Sequence, residues 1–147
     1  MQYKDINGLL ESFAAWQVYL LHGKIETPQP HYQVILNKDF INTWNLIYLS
    51  IATSQIENNE KFIRNRILPL ETLVIVANWE IPFFSKRTCF NCNTISQCDI
   101  FSIYTEYLKN KFKYIWNLPQ NILNKIYEWI KLSPLVDIRK KRLIGIV

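Results

Sequence analysis

The feature that most constrains the fold of this chain is residues 72–79, which are almost wholly apolar and rich in β-branched side chains. Such a run predicts a strand that is covered on both faces, because a half-exposed strand would alternate polar and apolar residues. Residues 61–68 do alternate, and a tight turn at 69–71 joins the two segments. We therefore predict a β-hairpin at the centre of an antiparallel sheet.

Two arginines, Arg64 and Arg66, share one face of the first predicted strand, since side chains in a strand alternate with period two. A buried guanidinium requires an anionic partner, which either an acidic side chain or a ligand can supply. One interpretation leaves the pair solvated or bound to Glu60, Glu71 or Glu80. The other makes the pair an anion clamp inside a pocket, a role that suits a planar bidentate donor.

The composition favours one globular α+β domain over residues 1–147, with helices packed against the antiparallel sheet. Of its 147 residues 49% are hydrophobic and 14% aromatic, which supplies a core. No apolar run reaches the ~18 residues of a membrane span, so a soluble protein without membrane contact is expected. With 3 glycines there is no phosphate-binding glycine loop, and neither a dinucleotide fingerprint nor a P-loop is present.

Helical spacing and capping residues predict the elements around this hairpin. Asp5 and Asp99 are expected to cap helices, and Pro119 suits the first turn of another. For residues 46–51 a strand competes with the second helix. The predicted helices cover residues 6–21, 40–54, 100–117 and 119–132, and the predicted outer strands cover residues 32–36 and 138–147.

Three cysteines, Cys89, Cys92 and Cys98, form a C-x2-C-x5-C cluster whose first pair has the spacing of a metal knuckle. A zinc or iron–sulfur site needs four ligands, so Asp99 or a second chain would have to supply one. The alternative is a set of free thiols in a loop. An odd number of cysteines excludes a complete internal disulfide framework and favours a reducing compartment.

Neither the basic run at 139–142 nor the two histidines belong to a complete functional motif. The net charge of +5 permits an anionic partner. The basic run at 139–142 is typical of a nucleic-acid or membrane-surface patch, but such runs are also common on solvated surfaces, and no RNA-binding aromatic motif or recognition helix accompanies this one. Specific nucleic-acid binding is therefore not expected. His22 and His31 lie in no catalytic motif, so no triad is built from them.

Four segments in order resemble the chorismate lyase-like family, which includes reading frames of cyanobacteria and algal plastids. Residues 16–23 followed by Thr27 resemble the opening element of that family and its threonine-bearing loop. Residues 32–40 resemble its first strand, residues 62–68 the strand with a substrate-binding arginine, and residues 73–82 the strand after it. The match covers roughly the first two-thirds of the chain.

The resemblance implies an antiparallel sheet flanked by helices, with a small closed cavity that binds chorismate. Family enzymes eliminate pyruvate to leave 4-hydroxybenzoate and need no metal or organic cofactor. By this match Arg64 is the catalytic and substrate-binding arginine, Arg66 is next to it, and Thr27 lies over the pocket. The implied ligand is a small carboxylate, and the implied location is the plastid stroma or the cytoplasm.

One departure from the family separates two functional hypotheses. The family's C-terminal strand carries a glutamate that takes part in the elimination, whereas no glutamate follows Glu128 here. The glycines of the pocket loops are missing as well. The chain is thus expected to be a carbon–oxygen lyase or a relative that only binds an aromatic acid. The alternative is a non-enzymatic structural or interaction protein, because no complete catalytic set is present.

Overall fold

Seven antiparallel strands form one sheet in the computed structural model, which describes residues 5–21, 31–40, 45–81 and 84–147. The strands are β1 (Gln17–Leu21), β2 (His31–Ile35), β3 (Leu46–Thr53), β4 (Leu73–Val76), β5 (Thr88–Asn91), β6 (Ser96–Asp99) and β7 (Phe112–Asn117). The helices are α1 (Ile6–Ser12), α2 (Ile56–Asn65), α3 (Ile100–Leu108), α4 (Gln120–Leu132) and α5 (Ile138–Ile144), with a 3-10 turn at Leu70–Thr72. The predicted α+β class is confirmed.

The longest strand, β3, organises the sheet. The strand order is β4-β5-β3-β2-β1-β7, and β6 also pairs with β3. One side of β3 pairs with β2, while its other side pairs first with β6 and then, at Ala52 and Thr53, with β5. Strands β4 and β7 form the two edges. Because β3 changes partner along its length, β5 and β6 lie end to end beside it.

Helices cover both faces of this sheet, since successive strand residues point to opposite sides. On one face α4 and α5 pack on a group that we call the α4 cluster, which includes Val18, Tyr48 and Phe90. On the other face α1 and α3 pack on the α1–α3 cluster, which includes Tyr19 and Ile47. A smaller α2 cluster is built from Ile63, Leu73 and Cys89 together with partly buried neighbours.

The predicted first helix is correct at its start and wrong over its second half. Asp5 caps α1, and its carboxylate accepts a hydrogen bond of 2.7 Å from the backbone nitrogen of Gly8. The helix ends at Ser12, and Trp16 turns the chain with a positive φ of 72°. Strand β1 follows because Val18 and Tyr19 are both buried on opposite faces of the sheet, which suits an extended chain.

Two predictions around the hairpin are also wrong. Residues 46–53 form β3, so the competing strand interpretation is correct and the predicted helix is wrong over these residues. Residues 41–44 of that prediction lie outside the described part of the chain. Residues 61–68 are not a strand, because α2 extends to Asn65. Its buried Ile63 packs in the α2 cluster, and the polar residues 57–60 form exposed or half-buried turns of the same helix. Strand β4 confirms part of the predicted strand at 72–79, and β2 confirms the strand at 32–36.

Of the three C-terminal helices, α4 matches its prediction, α3 is shorter than predicted, and α5 lies where a strand was predicted. Asp99 caps α3, yet that helix ends at Leu108, and Asn110 with φ 60° turns the chain into β7. Helix α4 matches its prediction, and its apolar stripe is buried in the α4 cluster. The predicted strand over 138–147 is instead α5. Gly145 ends this helix with φ 96°, where a Cβ atom would also lie 3.3 Å from the Cβ of Lys38.

Candidate functional site

A cleft of about 290 Å³ lies where β2, β3 and β5 come together at one end of the sheet. Three chain segments that are remote in sequence build it, because adjacent antiparallel strands bring their ends to one edge. Its volume is close to the lower end of the range for small-molecule sites, which suits a ligand of about one ring. It is lined by His31, Tyr32, Ala52, Thr53, Ser54, Gln55, Phe84, Ser85, Lys86 and Thr88.

The apolar part of the cleft consists of aromatic rings. The rings of Tyr32 and Phe84 lie 5.4 Å apart between centroids, and Phe84 also contacts Phe90 of the core at 6.4 Å. Phe84 is buried and Tyr32 is half-buried, so the pair joins the α4 cluster to the surface of the cleft. Such rings offer an apolar face against which another ring can pack.

The polar part consists mostly of hydroxyl groups at the strand ends. Thr53 Oγ1 accepts a hydrogen bond of 3.1 Å from the backbone nitrogen of Gln55, which leaves the hydroxyl proton of Thr53 able to donate. Thr88 donates from its hydroxyl to the backbone carbonyl of Lys86 at 3.0 Å and so holds the basic residue next to the cleft. A hydroxyl group can serve as donor and acceptor at once.

The cleft has a positive charge balance, because Lys86 lines it and none of the described residues that line it is acidic. Glu57 and Glu60 line a neighbouring depression of about 530 Å³ together with Arg87. Within the described parts of the chain, the ion pair closer than 4 Å joins Lys109 to Glu106. No described carboxylate therefore neutralises Lys86, and its ammonium can hold an anion.

A second cleft, of about 500 Å³, lies between α1 and the β1–β7 edge, and the polar groups of Gln17, Tyr19 and Tyr114 in it are hydrogen-bonded within the protein. Gln17 accepts hydrogen bonds from the backbone nitrogen of Ala14 at 2.8 Å and from the hydroxyl of Tyr19 at 3.1 Å. Tyr114 donates to the side chain of Asn117 at 2.8 Å. The cleft at His31 and Lys86 is therefore the stronger candidate.

The structure places the two predicted site arginines on the surface. Arg64 lies in the last turn of α2, Arg66 follows that helix, and both side chains are exposed. The guanidinium of Arg66 lies 3.9 Å from the centroid of the Phe62 ring. The expected clamp on a strand face inside a dry pocket is wrong in its geometry, and a ligand-binding role for either arginine stays a prediction. Thr27 lies outside the described residues.

The three cysteines lie in three different clusters, so the described residues do not assemble the metal site that the sequence left open as an alternative to free thiols. Cys89 belongs to the α2 cluster, Cys92 to the α4 cluster and Cys98 to the α1–α3 cluster. Burial raises the pKa of Cys89 to about 11 and the pKa values of Cys92 and Cys98 to about 12. The described residues contain no group of three metal-ligating side chains. Each thiol behaves as a small apolar core group, and the reducing compartment stays a prediction.

Comparison with known proteins adds no assignment. No protein-family model and no curated protein matches the chain, so its resemblance to the chorismate lyase-like family stays a prediction. Over the described residues no helix has the length and apolar character needed to cross a membrane, and α4 has 13 residues.

Proposed function

We propose that the protein binds a small cyclic or aromatic carboxylate in the cleft between His31 and Lys86. The observation that carries this proposal is the juxtaposition of a packed aromatic pair, Tyr32 and Phe84, with a hydroxyl-rich rim that carries Lys86 and, among the described residues, no acidic side chain. A ring would pack against the aromatic side, while its carboxylate would accept hydrogen bonds from Lys86 and Thr53.

The resemblance to the chorismate lyase-like family supports the same class of ligand, although the sequence match assigned the binding cation to Arg64. Lys86 at the cleft takes the role that the sequence match gave to Arg64. We propose binding rather than turnover, because the described residues that line the cleft include no carboxylate in the role of the glutamate that takes part in the family's elimination. The charge and size of the cleft thus favour a carboxylate receptor.

A titration with 4-hydroxybenzoate and with chorismate, followed by calorimetry, tests the proposal. A charge-assisted hydrogen bond contributes about 1.5–3 kcal/mol, so Lys86→Gln should weaken binding by roughly 10- to 100-fold. Lys125→Gln is the matched control, because Lys125 is an exposed lysine on α4 and its replacement removes the same charge away from the cleft. Equal affinities of the Lys86→Gln variant and wild type would exclude this cleft.

The competing arginine hypothesis is tested in the same titration. A double variant Arg64→Gln/Arg66→Gln should bind both compounds as the wild type does, since neither arginine lines the cleft. A loss of affinity in that variant alone would move the site to the end of α2. Chromatography of the chorismate samples for 4-hydroxybenzoate, against a protein-free control, shows in parallel whether any turnover occurs.

A further inference from the structure

The end of α4 and the adjoining α5 form a surface that combines exposed aliphatic side chains with clustered cations. We call residues 131–142 the α4–α5 corner. Leu132, Leu135 and Ile138 are 57%, 49% and 53% exposed, although α4 and α5 bury other apolar residues in the α4 cluster. Three large exposed aliphatic side chains within seven residues are unusual for a solvated surface and indicate a contact.

Nearly all of the chain's net charge is found at this corner. It contains five of the 17 lysines and arginines and one of the 12 acidic residues, so it carries +4 of the net +5. The acidic residue, Asp137, is the cap of α5 and accepts a hydrogen bond of 2.9 Å from the backbone nitrogen of Lys140. The remainder of the chain is close to neutral, which makes the corner the positive pole of the molecule.

Hydrogen bonds from Lys141 hold α5 against the end of α4. The ammonium of Lys141 donates to the backbone carbonyls of Lys131 at 2.7 Å and Ser133 at 2.9 Å, the two residues that flank Leu132. Residues three apart on a helix lie on one side of it, so Ile138 lies beside Lys141. Ile138 is therefore held next to the end of α4 that carries Leu132.

We propose that the α4–α5 corner docks the protein on an anionic lipid surface. A bilayer interface accepts exposed Leu and Ile side chains into its acyl boundary and attracts lysine and arginine to its headgroups. The three exposed side chains are aliphatic and so offer no ring on which a nucleic-acid base could stack. They also lack the aromatic anchors that dominate protein–protein contacts. This docking is independent of ligand binding in the cleft.

Sedimentation with vesicles tests the proposal on the full chain. The protein should bind vesicles that contain about one-third phosphatidylserine, should not bind pure phosphatidylcholine vesicles, and should dissociate as salt is raised. The charge variant Arg139→Gln/Lys140→Gln/Arg142→Gln and the aliphatic variant Leu132→Gln/Ile138→Gln should each weaken binding at least about tenfold. Lys141 is left unchanged because its ammonium bonds to the end of α4.

The control variant Lys111→Gln/Lys113→Gln/Lys125→Gln removes the same charge from exposed lysines elsewhere and should bind as the wild type does. Absence of binding to anionic vesicles would overturn the proposal, and so would an equal loss in the control variant. The corner would instead be a polyanion site if the protein bound an acidic polymer such as heparin but no vesicles. In that case the aliphatic variant should bind heparin as the wild type does. Circular dichroism of every variant verifies that the fold is intact.

Discussion

The hydroxyl of Ser133 donates a hydrogen bond of 2.6 Å to the side-chain carbonyl of Asn93, which lies 40 residues earlier in the chain. The amide nitrogen of Asn93 donates in turn to the hydroxyl of Thr72 at 2.7 Å. All three side chains are buried. One amide therefore ties the end of α4 to the segment after β5 and to the turn before β4.

Replacing Asn93 with alanine should lower the free energy of unfolding by about 1–3 kcal/mol, because the buried hydroxyl of Ser133 loses its acceptor and the buried hydroxyl of Thr72 loses a donor. Urea denaturation at neutral pH measures the change. Asn124→Ala is a suitable control, since Asn124 is exposed on α4 and should cost less than about 0.5 kcal/mol. A cost for the Asn93 variant no larger than that of the control would show that the buried network contributes nothing.

Glycine at position 67 should stabilise the protein by about 0.5–1 kcal/mol. Ile67 has φ 53° and is 92% exposed, so a β-branched side chain occupies the left-handed region without burial to compensate. It follows α2 as the residue at which a Schellman-type end usually has glycine, with Leu68 donating from its backbone nitrogen to the carbonyl of Ile63 at 3.1 Å. Thermal denaturation of Ile67→Gly measures the gain.

An isoleucine-to-glycine substitution within a helix is the control for Ile67→Gly. Ile138→Gly, in the first turn of α5, should be neutral or destabilising by up to about 1 kcal/mol, because glycine disfavours helical backbone. If both variants lost stability equally, the positive φ of Ile67 would carry no strain.

Alkaline pH should destabilise the fold through its buried thiols. Burial raises the pKa of Cys92 from 9.0 to about 12, so the folded chain holds this proton more tightly than the unfolded chain. The stability linked to Cys92 is therefore fully present below pH 9 and is lost between pH 9 and 12. The loss is about 1.4 kcal/mol per pH unit for this thiol. Urea midpoints between pH 7.5 and 10.5 measure it. In Cys92→Ala the free energy of unfolding should fall less steeply with pH, by the slope that corresponds to about one proton. An unchanged slope would contradict the assignment of this loss to Cys92.

Acid should weaken the cap of α3. Hydrogen bonds from Ser102, the backbone bond first among them, lower the pKa of Asp99 below its ordinary value of 3.8. A carboxylate with a lowered folded-state pKa stabilises the fold above pH 3.8, and this contribution is lost as pH falls through the folded-state value. The stability difference between wild type and Asp99→Ala should therefore shrink as the pH falls below about 3.8, as measured by urea denaturation. Curves that stay parallel would exclude a charged cap.

Helix α4 could be predicted from the sequence because its apolar residues recur at helical spacing between Pro119 and Ser133, which mark its ends. For residues 61–68 the same reasoning from periodicity predicted a strand where the structure has the end of a helix. The end of a helix, Phe62 to Asn65, runs directly into a turn, and the alternation across that boundary imitates a strand. Residues 17–21 are buried or half-buried at every position, so they show neither helical nor alternating periodicity. Their strand conformation depends on pairing with β2 and β7, which are remote in sequence.

The position of the candidate cleft could not be predicted from the sequence, because it too depends on strand pairing. His31, Thr53 and Lys86 come from three segments that carry no shared motif, and only the order of the strands brings them together. The signal available was the pair Lys86 and Arg87 in a segment without helical or strand periodicity, and loops with such residues often carry function. That signal cannot indicate which other segments complete the cleft.

The placement of the three thiols in three separate clusters gives the chain a set of intrinsic reporters on the order in which its parts open. A buried thiol reacts with an alkylating reagent only after the structure around it has unfolded, and regions of one protein open with different free energies. Pulsed alkylation with mass spectrometry of Cys89, Cys92 and Cys98 would therefore time the opening of the α2, α4 and α1–α3 clusters separately, without any engineered label.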